Sequence, residues 1–303
     1  MTSTLWHAGA GCTPGRVHAA ARHTPGSREA YDARMPPDPL PDPVLVARLR
    51  AAGCVFAEDE AMLLEQAVEG RADAADELER LVARRVEGEP LEQLLGWAEF
   101  GGLRILLEPG VFVPRRRTEA LAAEAIRLTG AVADSGRPCV VVDLCCGAGA
   151  IGAAVIDAVG EVELTAADVD PAAVLAARRN LEPLGARVVA GDLFDALPRD
   201  LLGRVDVLAV NAPYVPTAEI AMMPPEARDH EARAALDGGV DGLDVHRRVA
   251  ASAREWLAPG GHLLIETSRR QAPTTAALVA DGGLTAWIVR DDELAATIVI
   301  GRR

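Results

Sequence analysis

The stretch Val140-Val141-Val142-Asp143-Leu144-Cys145-Cys146-Gly147-Ala148-Gly149-Ala150-Ile151-Gly152 constrains the fold more than any other. A short apolar, β-branched run reads as a buried strand. It ends in glycines spaced G-x-G-x-x-G, and an Ala-rich helical segment, Ala153 to Val159, follows. Strand, glycine turn and helix bring a backbone close to a nucleotide-like ligand. A Cβ at the turn would block that approach or forbid its angles. Alone the motif does not choose among cofactors: NAD suits it as well as any other, and an unliganded turn is the competing account.

Strand and helix patterns alternate after the glycine loop, which predicts a parallel sheet. Val162 to Ala167 is the second strand, ending in Asp168. Val169-Asp170-Pro171 then starts a helix, with Asp170 as cap and Pro at the first position. Asp168 stands where an acid can accept both ribose hydroxyls of a nucleoside, although a turn acid is the alternative. Arg187 to Ala190 is the third strand. It runs into Gly191-Asp192-Leu193-Phe194, where Asp192 could accept from a purine amine and Phe194 could pack near the base. Val205 to Val210 is the fourth strand and leads directly into Asn211-Ala212-Pro213-Tyr214. Ligands of doubly wound sheets bind beyond the strands' carboxyl ends, so this tetrapeptide faces the same crevice as the glycine loop. Gly260 to Glu266 is the fifth strand. Leu284 to Arg290 and Ala295 to Ile300 are joined by Asp291-Asp292-Glu293, too short for a parallel crossover, so this last pair is expected to be antiparallel.

The rest of the chain is less regular. Residues 1–42 carry scattered Pro, Gly, His and Arg and end in a Pro-rich run, predicting a disordered tail and linker. Residues 43–88 predict three short helices, with apolar faces at Val44, Leu45, Leu49, then Met62, Leu63, Ala67, then Leu78, Leu81, Val82. Glu58, Asp59 and Glu60 suit a first helical turn. Residues 89–116 predict a β-hairpin linker from Leu94 to Leu106, turning at Gly101-Gly102. Phe112-Val113-Pro114-Arg115-Arg116-Arg117 follows, and its three arginines read on charge as a solvated turn. Thr118-Glu119 opens a helix to about Leu128. Residues 117–303 form the expected catalytic domain, with a long polar loop from Pro225 to Leu243.

Composition removes whole classes of function. The net charge of −14 argues against a generic nucleic-acid binder. All 31 basic residues are Arg, so a P-loop lysine, a Schiff-base lysine and a lysine base are absent. The five Cys show no C-x-x-C pair and no metal spacing. With no apolar run of membrane-spanning length, the reading is a reduced, cytoplasmic protein without a metal or a membrane partner.

An NAD enzyme of this layout needs a hydride-handling site and a second parallel half; this sheet is expected to end in an antiparallel hairpin. The hairpin and the tetrapeptide resemble class I S-adenosylmethionine-dependent methyltransferases, and the tetrapeptide is similar to the Asn-Pro-Pro-Tyr motif of enzymes that methylate planar NH2 groups. Val113-Pro114-Arg115, Thr118-Glu119, His230-Glu231 and Ala235-Leu236-Asp237-Gly238-Gly239 narrow the resemblance to the HemK-type protein-(glutamine-N5) methyltransferases, which act on the Gly-Gly-Gln motif of peptide-chain release factors. It covers roughly residues 89–303, with a looser match over 44–88. One residue departs: Ala212 stands where the family has Pro. Ala keeps the carbonyl that the motif needs and loses the fixed φ of proline.

The resemblance implies the class I fold, a doubly wound and mostly parallel sheet with a terminal antiparallel hairpin, plus a small helical amino-terminal domain that docks substrate. It implies S-adenosylmethionine as cofactor and S-adenosylhomocysteine as product. The implied cofactor residues are Asp143, Cys145, Gly147, Gly149, Gly152, Asp168, Val169, Asp192, Leu193 and Asn211. The implied catalytic residues are Asn211, Ala212, Pro213 and Tyr214, and the implied partner is a release factor. Chemistry agrees on its own terms. A carboxamide nitrogen is a poor nucleophile and a sulfonium methyl a good electrophile, so alignment is the main task. The Asn211 side-chain oxygen and the Ala212 carbonyl could each accept one N–H while Tyr214 stacks on the amide plane. A nucleobase or small-molecule amine as acceptor, and an inactive cofactor-binding relative, stay open beside this reading.

Overall fold

A computed structural model describes residues 40–303; the tail expected over 1–42 lies almost wholly outside them. Helices α1 (Pro43–Ala51), α2 (Ala57–Val68) and α3 (Ala74–Val86) are the three expected from the sequence. Asp42 caps α1, its carboxylate accepting from Val44 N at 2.8 Å, with Pro43 in the first position. The buried faces differ from expectation. Val44 is exposed and Val46 buried on α1, while Ala57, Ala61, Leu64 and Val68 are the core of α2 and Ala67 is exposed. Runs such as Val44-Leu45-Val46 and Met62-Leu63-Leu64 let the apolar stripe be drawn one residue off, and packing selects the register. Leu78 and Leu81 complete this cluster, which is separate from the two cores below.

A short helix, α4 (Leu91–Leu95), precedes the hairpin of β1 (Trp97–Phe100) and β2 (Leu103–Leu106). Leu94 and Leu95, expected in the hairpin, belong to α4, which ends at Gly96 in a left-handed conformation. Phe100 is fully buried, a contribution of about 1.5–3 kcal/mol for a side chain of that kind. Helix α5 (Glu119–Ala133) then runs a turn longer than expected.

The remaining elements are β3 (Cys139–Leu144), α6 (Ala150–Val159), β4 (Val162–Asp168), α7 (Pro171–Leu181), β5 (Arg187–Ala190), β6 (Val205–Val210), α8 (Pro225–His230), α9 (Asp244–Trp256), β7 (Leu257–Glu266), α10 (Ala272–Asp281), β8 (Thr285–Asp291) and β9 (Ala296–Arg302). Part of the expected polar loop is therefore helical, in α8. The seven-stranded sheet has the order β5-β4-β3-β6-β7-β9-β8. The first five strands are parallel, and β9 is antiparallel to both β7 and β8; the short connection 292–295 leaves no room for a parallel crossover between β8 and β9. Strands β3 and β6 are buried along their whole length, which is why they read as apolar runs interrupted only by Asp143 and Asp206. One core lies under α5, α6 and α7, the other under α9 and α10. This is the class I methyltransferase sheet. The chain order reverses between β3 and β6, so the crevice beyond their carboxyl ends is the switch point where such sheets bind ligands. Among the described residues no helix is long and apolar enough to cross a membrane.

Candidate active site

A cavity of about 370 Å³ opens at that switch point. Its walls bring together Cys145, Gly147, Asp168, Val169, Asp192, Leu193 and the whole Asn211–Tyr214 tetrapeptide. Asp143, Gly149 and Gly152 stand behind the wall. A Cβ on Gly149, whose φ is +80°, would come within 2.6 Å of Leu181. One on Gly152 would come within 3.2 Å of Leu164. These two glycines let α6 sit close to its neighbours. Gly147 alone of the three lines the cavity, and a side chain there would meet open space. Phe194, expected near a base, instead stacks on Trp256 in the core at 5.7 Å between centroids.

The loop is drawn tight by acids at the strand ends. Asp168 accepts from Gly147 N and Asp170 N, each at 2.9 Å, one on each carboxylate oxygen. Each oxygen keeps a further lone pair. Asp192 gives one oxygen to Arg248 at 2.7 Å, and the other takes no hydrogen bond among the described residues. Cys145 and Leu193 hold positive φ of 58° and 48°, uncommon for residues with side chains and concentrated at functional sites. Two carboxylates with open lone pairs, a turn without a side chain at Gly147 and apolar walls from Val169, Leu193 and Ile151 fit a nucleoside-bearing cofactor. Asp168→Ala is expected to weaken binding of S-adenosylhomocysteine by about 10- to 150-fold, the scale of losing a charged hydrogen bond, read by calorimetry. An unchanged Kd would remove Asp168 from the site.

Asp143 is wholly buried behind this loop. One carboxylate oxygen accepts from Gly152 N at 2.9 Å and the other has no partner among the described residues. Burial pushes its carboxyl up to about 7, against the Gly152 hydrogen bond. A folded pKa above the unfolded one favours the neutral acid. Its stability contribution is full below the unfolded pKa, near 4, and is lost as pH rises through about 7. Asp143→Asn keeps an acceptor for Gly152 N but leaves its own NH2 group unpaired. It is therefore expected to stabilise the protein by only on the order of 1 kcal/mol at pH 8, the gain shrinking towards pH 5. Thermal unfolding at the two pH values checks this, and a gain independent of pH would contradict it.

The tetrapeptide is fixed from both sides. The Asn211 amide nitrogen points to the hydroxyl of buried Thr118, at 3.4 Å. The Asn211 side-chain oxygen and the Ala212 carbonyl accept no hydrogen bond among the described residues. Beyond them, Gln271 donates to the Tyr214 carbonyl at 2.9 Å. Val215 N donates to Leu236 O at 3.0 Å, and Gly238 N to Val215 O at 2.9 Å. Gly242 packs so closely that a Cβ there would lie 2.3 Å from the Tyr214 carbonyl oxygen. The Asp237-Gly238-Gly239 loop thus acts as a buttress for the tetrapeptide.

Charge alone misread the arginine run. Arg116 and Arg117 are exposed and Arg115 is half-buried, but only Arg116 has no ion-pair partner among the described residues. Arg115 pairs with buried Glu231 at 2.6 Å, and Arg117 reaches buried Glu266 at 3.3 Å. The roles of Glu266 and Gln271 went unnoticed in the sequence because nothing local marks them, and Thr118 was read only as a motif residue; the partners of all three lie far away along the chain.

Comparison with known proteins gives three relatives of interest. A family model, Methyltransferase small domain, matches residues 103–239. The release factor glutamine methyltransferase of Geobacter sulfurreducens is 37% identical over 225 residues, 74% of this chain and 76% of that one. The release factor glutamine methyltransferase of Deinococcus radiodurans is 35% identical over 261 residues, 86% of this chain and 91% of that one. A 4-amino-L-phenylalanine/4-methylamino-L-phenylalanine methyltransferase of Streptomyces pristinaespiralis is 39% identical over 198 residues, 65% of this chain and 67% of that one.

Proposed function

The chain belongs to the release factor glutamine methyltransferase family of S-adenosylmethionine-dependent enzymes, and from that premise we propose that it methylates the side-chain nitrogen of a glutamine in a protein, the Gly-Gly-Gln loop of a release factor being the first candidate. One observation carries the reading. Asn211 and Ala212 line the cavity beside Tyr214, and among the described residues the Asn211 side-chain oxygen and the Ala212 carbonyl accept no hydrogen bond. A primary carboxamide has two N–H groups to give them and a plane that can lie on the Tyr214 ring.

When bound, S-adenosylmethionine supplies a methyl group made electrophilic by its sulfonium. Asp168 would hold its ribose hydroxyls and Asp192 its adenine edge, with Cys145, Gly147, Val169 and Leu193 around it. Asn211 Oδ1 and the Ala212 carbonyl each accept one N–H of the acceptor. This turns the nitrogen lone pair towards the glycine-loop end of the cavity and stabilises positive charge as it grows on the nitrogen. Pro213 fixes the turn. The acceptor nitrogen sheds its proton after transfer, so no base has to act beforehand. The helical segment and hairpin, residues 44–116, would dock a folded partner.

The Streptomyces relative's name points to an arylamine, which also carries a planar NH2 group, so the test has two arms. Enzyme and cofactor are incubated with a release-factor Gly-Gly-Gln peptide or with 4-amino-L-phenylalanine, and the products are weighed by mass spectrometry. Methylated glutamine is expected. An unmodified peptide beside a methylated arylamine would keep the reaction class and discard the protein substrate.

A further inference from the structure

Arg117 sits at a seam. It lines the 370 Å³ cavity and also an adjoining one of about 530 Å³, bounded by α2, α4 and α8. Its Nε donates to Glu266 Oε1 at 3.3 Å, and its guanidinium carbon lies 5.9 Å from the centre of the Tyr214 ring. Its two terminal amino groups have no hydrogen-bond or ion-pair partner among the described residues, and the side chain is 47% exposed. Glu266 ends β7 behind the tetrapeptide. Its side chain is 2% exposed. Oε1 also accepts from the Tyr214 hydroxyl at 3.1 Å, while Oε2 is buried without a partner.

A solvated arginine needs no such arrangement. Burying a carboxylate with one oxygen unpaired is unfavourable, and an ion pair of this kind is a poor device for stability. What the cluster provides is direction. The Tyr214 hydroxyl stays protonated, because burial and then the Glu266 charge push its pKa up, so it donates to Glu266. Burial works against the Arg117 charge, and the Glu266 carboxylate favours it. Glu266 therefore holds the Nε edge and leaves the two terminal amino groups of a cavity-lining arginine without a partner among the described residues. A fork of two N–H donors matches a carboxylate or a carbonyl oxygen.

We propose that Arg117 binds a carbonyl or carboxylate oxygen that the acceptor carries beside its methylated nitrogen, and that Glu266 is the positioning residue that aims Arg117 and Tyr214 at the acceptor. This rests on the reading that the acceptor nitrogen lies against Asn211 and Ala212. The oxygen is a main-chain carbonyl next to a glutamine, or the α-carboxylate of a free amino acid, and the chemistry at Arg117 is the same.

The test uses the full chain with Arg117→Gln, Glu266→Gln and the double variant. The probes are a terminally blocked Gly-Gly-Gln peptide, 4-amino-L-phenylalanine and the α-carboxamide of the latter. For whichever probe the parent enzyme methylates, Arg117→Gln is expected to raise acceptor KM about tenfold or more. It should leave kcat within about threefold and S-adenosylhomocysteine Kd unchanged. Glu266→Gln should raise KM by less, and should add nothing in the Arg117→Gln background, since it acts through that residue. A preference for the free carboxylate over the carboxamide that vanishes in Arg117→Gln identifies the α-carboxylate as the source; an equal effect on the blocked peptide identifies the carbonyl. Unchanged acceptor KM in Arg117→Gln overturns the proposal, as does an equal Glu266→Gln effect in both backgrounds. Full activity of Asn211→Ala on the same probe would instead overturn the placement of the nitrogen. Where no probe is methylated, the substrate reading fails and a labelled protein extract replaces the probes. Reduced labelling by Arg117→Gln with intact S-adenosylhomocysteine binding then supports the proposal, and labelling equal to the parent's overturns it.

Discussion

Asn211→Ala is expected to lower kcat by about 10²- to 10³-fold while S-adenosylhomocysteine affinity changes less than about threefold. The magnitude is that of removing one preorganised polar group aimed at developing charge, about 3–4 kcal/mol of transition-state stabilisation. The structure explains why the loss should fall on kcat. The Asn211 side-chain oxygen is one of two open acceptors at the end of β6, and the amide is turned there by a single long contact to the Thr118 hydroxyl. Little folding energy is tied up in that contact, so the variant should melt within a few degrees of the parent. Loss of activity at an unchanged melting temperature is the expected pair of results. Full activity of the variant on any acceptor it methylates would refute the mechanism.

The sheet was legible because the relevant signals are local. Strands β3 and β6 are apolar runs broken by a single aspartate each, the glycine spacing marks the turn, and the connection around Asp291-Asp292-Glu293 is too short for anything but an antiparallel return. The tetrapeptide and Asp168 were placed at the cavity by the same logic of strand ends. The roles of individual glycines were not legible. Sequence shows that Gly149 and Gly152 lack side chains, but only the fold shows that Leu181 and Leu164 occupy the space. The arginine run was the clearest loss. Arg117 and Glu266 are 149 residues apart, and Arg115 and Glu231 are 116 apart. Val113-Pro114-Arg115 and His230-Glu231 stand out as motifs, but nothing at either end of a pairing says which residue it meets, so on charge alone the stretch reads as a solvated turn.

Glu231→Ala is expected to destabilise the fold by about 3 kcal/mol, whereas Glu231→Gln should stay within about 1 kcal/mol of the parent. The Glu231 side chain is wholly buried. One oxygen accepts from Val113 N at 3.1 Å and from Arg115 at 2.6 Å, while the other has no partner. Burial pushes its carboxyl up, against the opposing pull of Arg115 and the Val113 N–H. The charge is therefore not what stabilises the contact; the acceptor geometry is. Alanine leaves Val113 N unpaired in the interior and frees Arg115, so the Phe112–Arg117 segment loses its anchor to the loop after α8. Glutamine keeps an oxygen for Val113 N and removes the desolvation cost of the carboxylate. Urea unfolding of the three proteins measures the difference. Because that segment carries Arg117 into the cavity, Glu231→Ala should also raise acceptor KM under conditions where it remains folded. Equal destabilisation by alanine and glutamine would show that the ion pair with Arg115, rather than the hydrogen bond to Val113, fixes the wall.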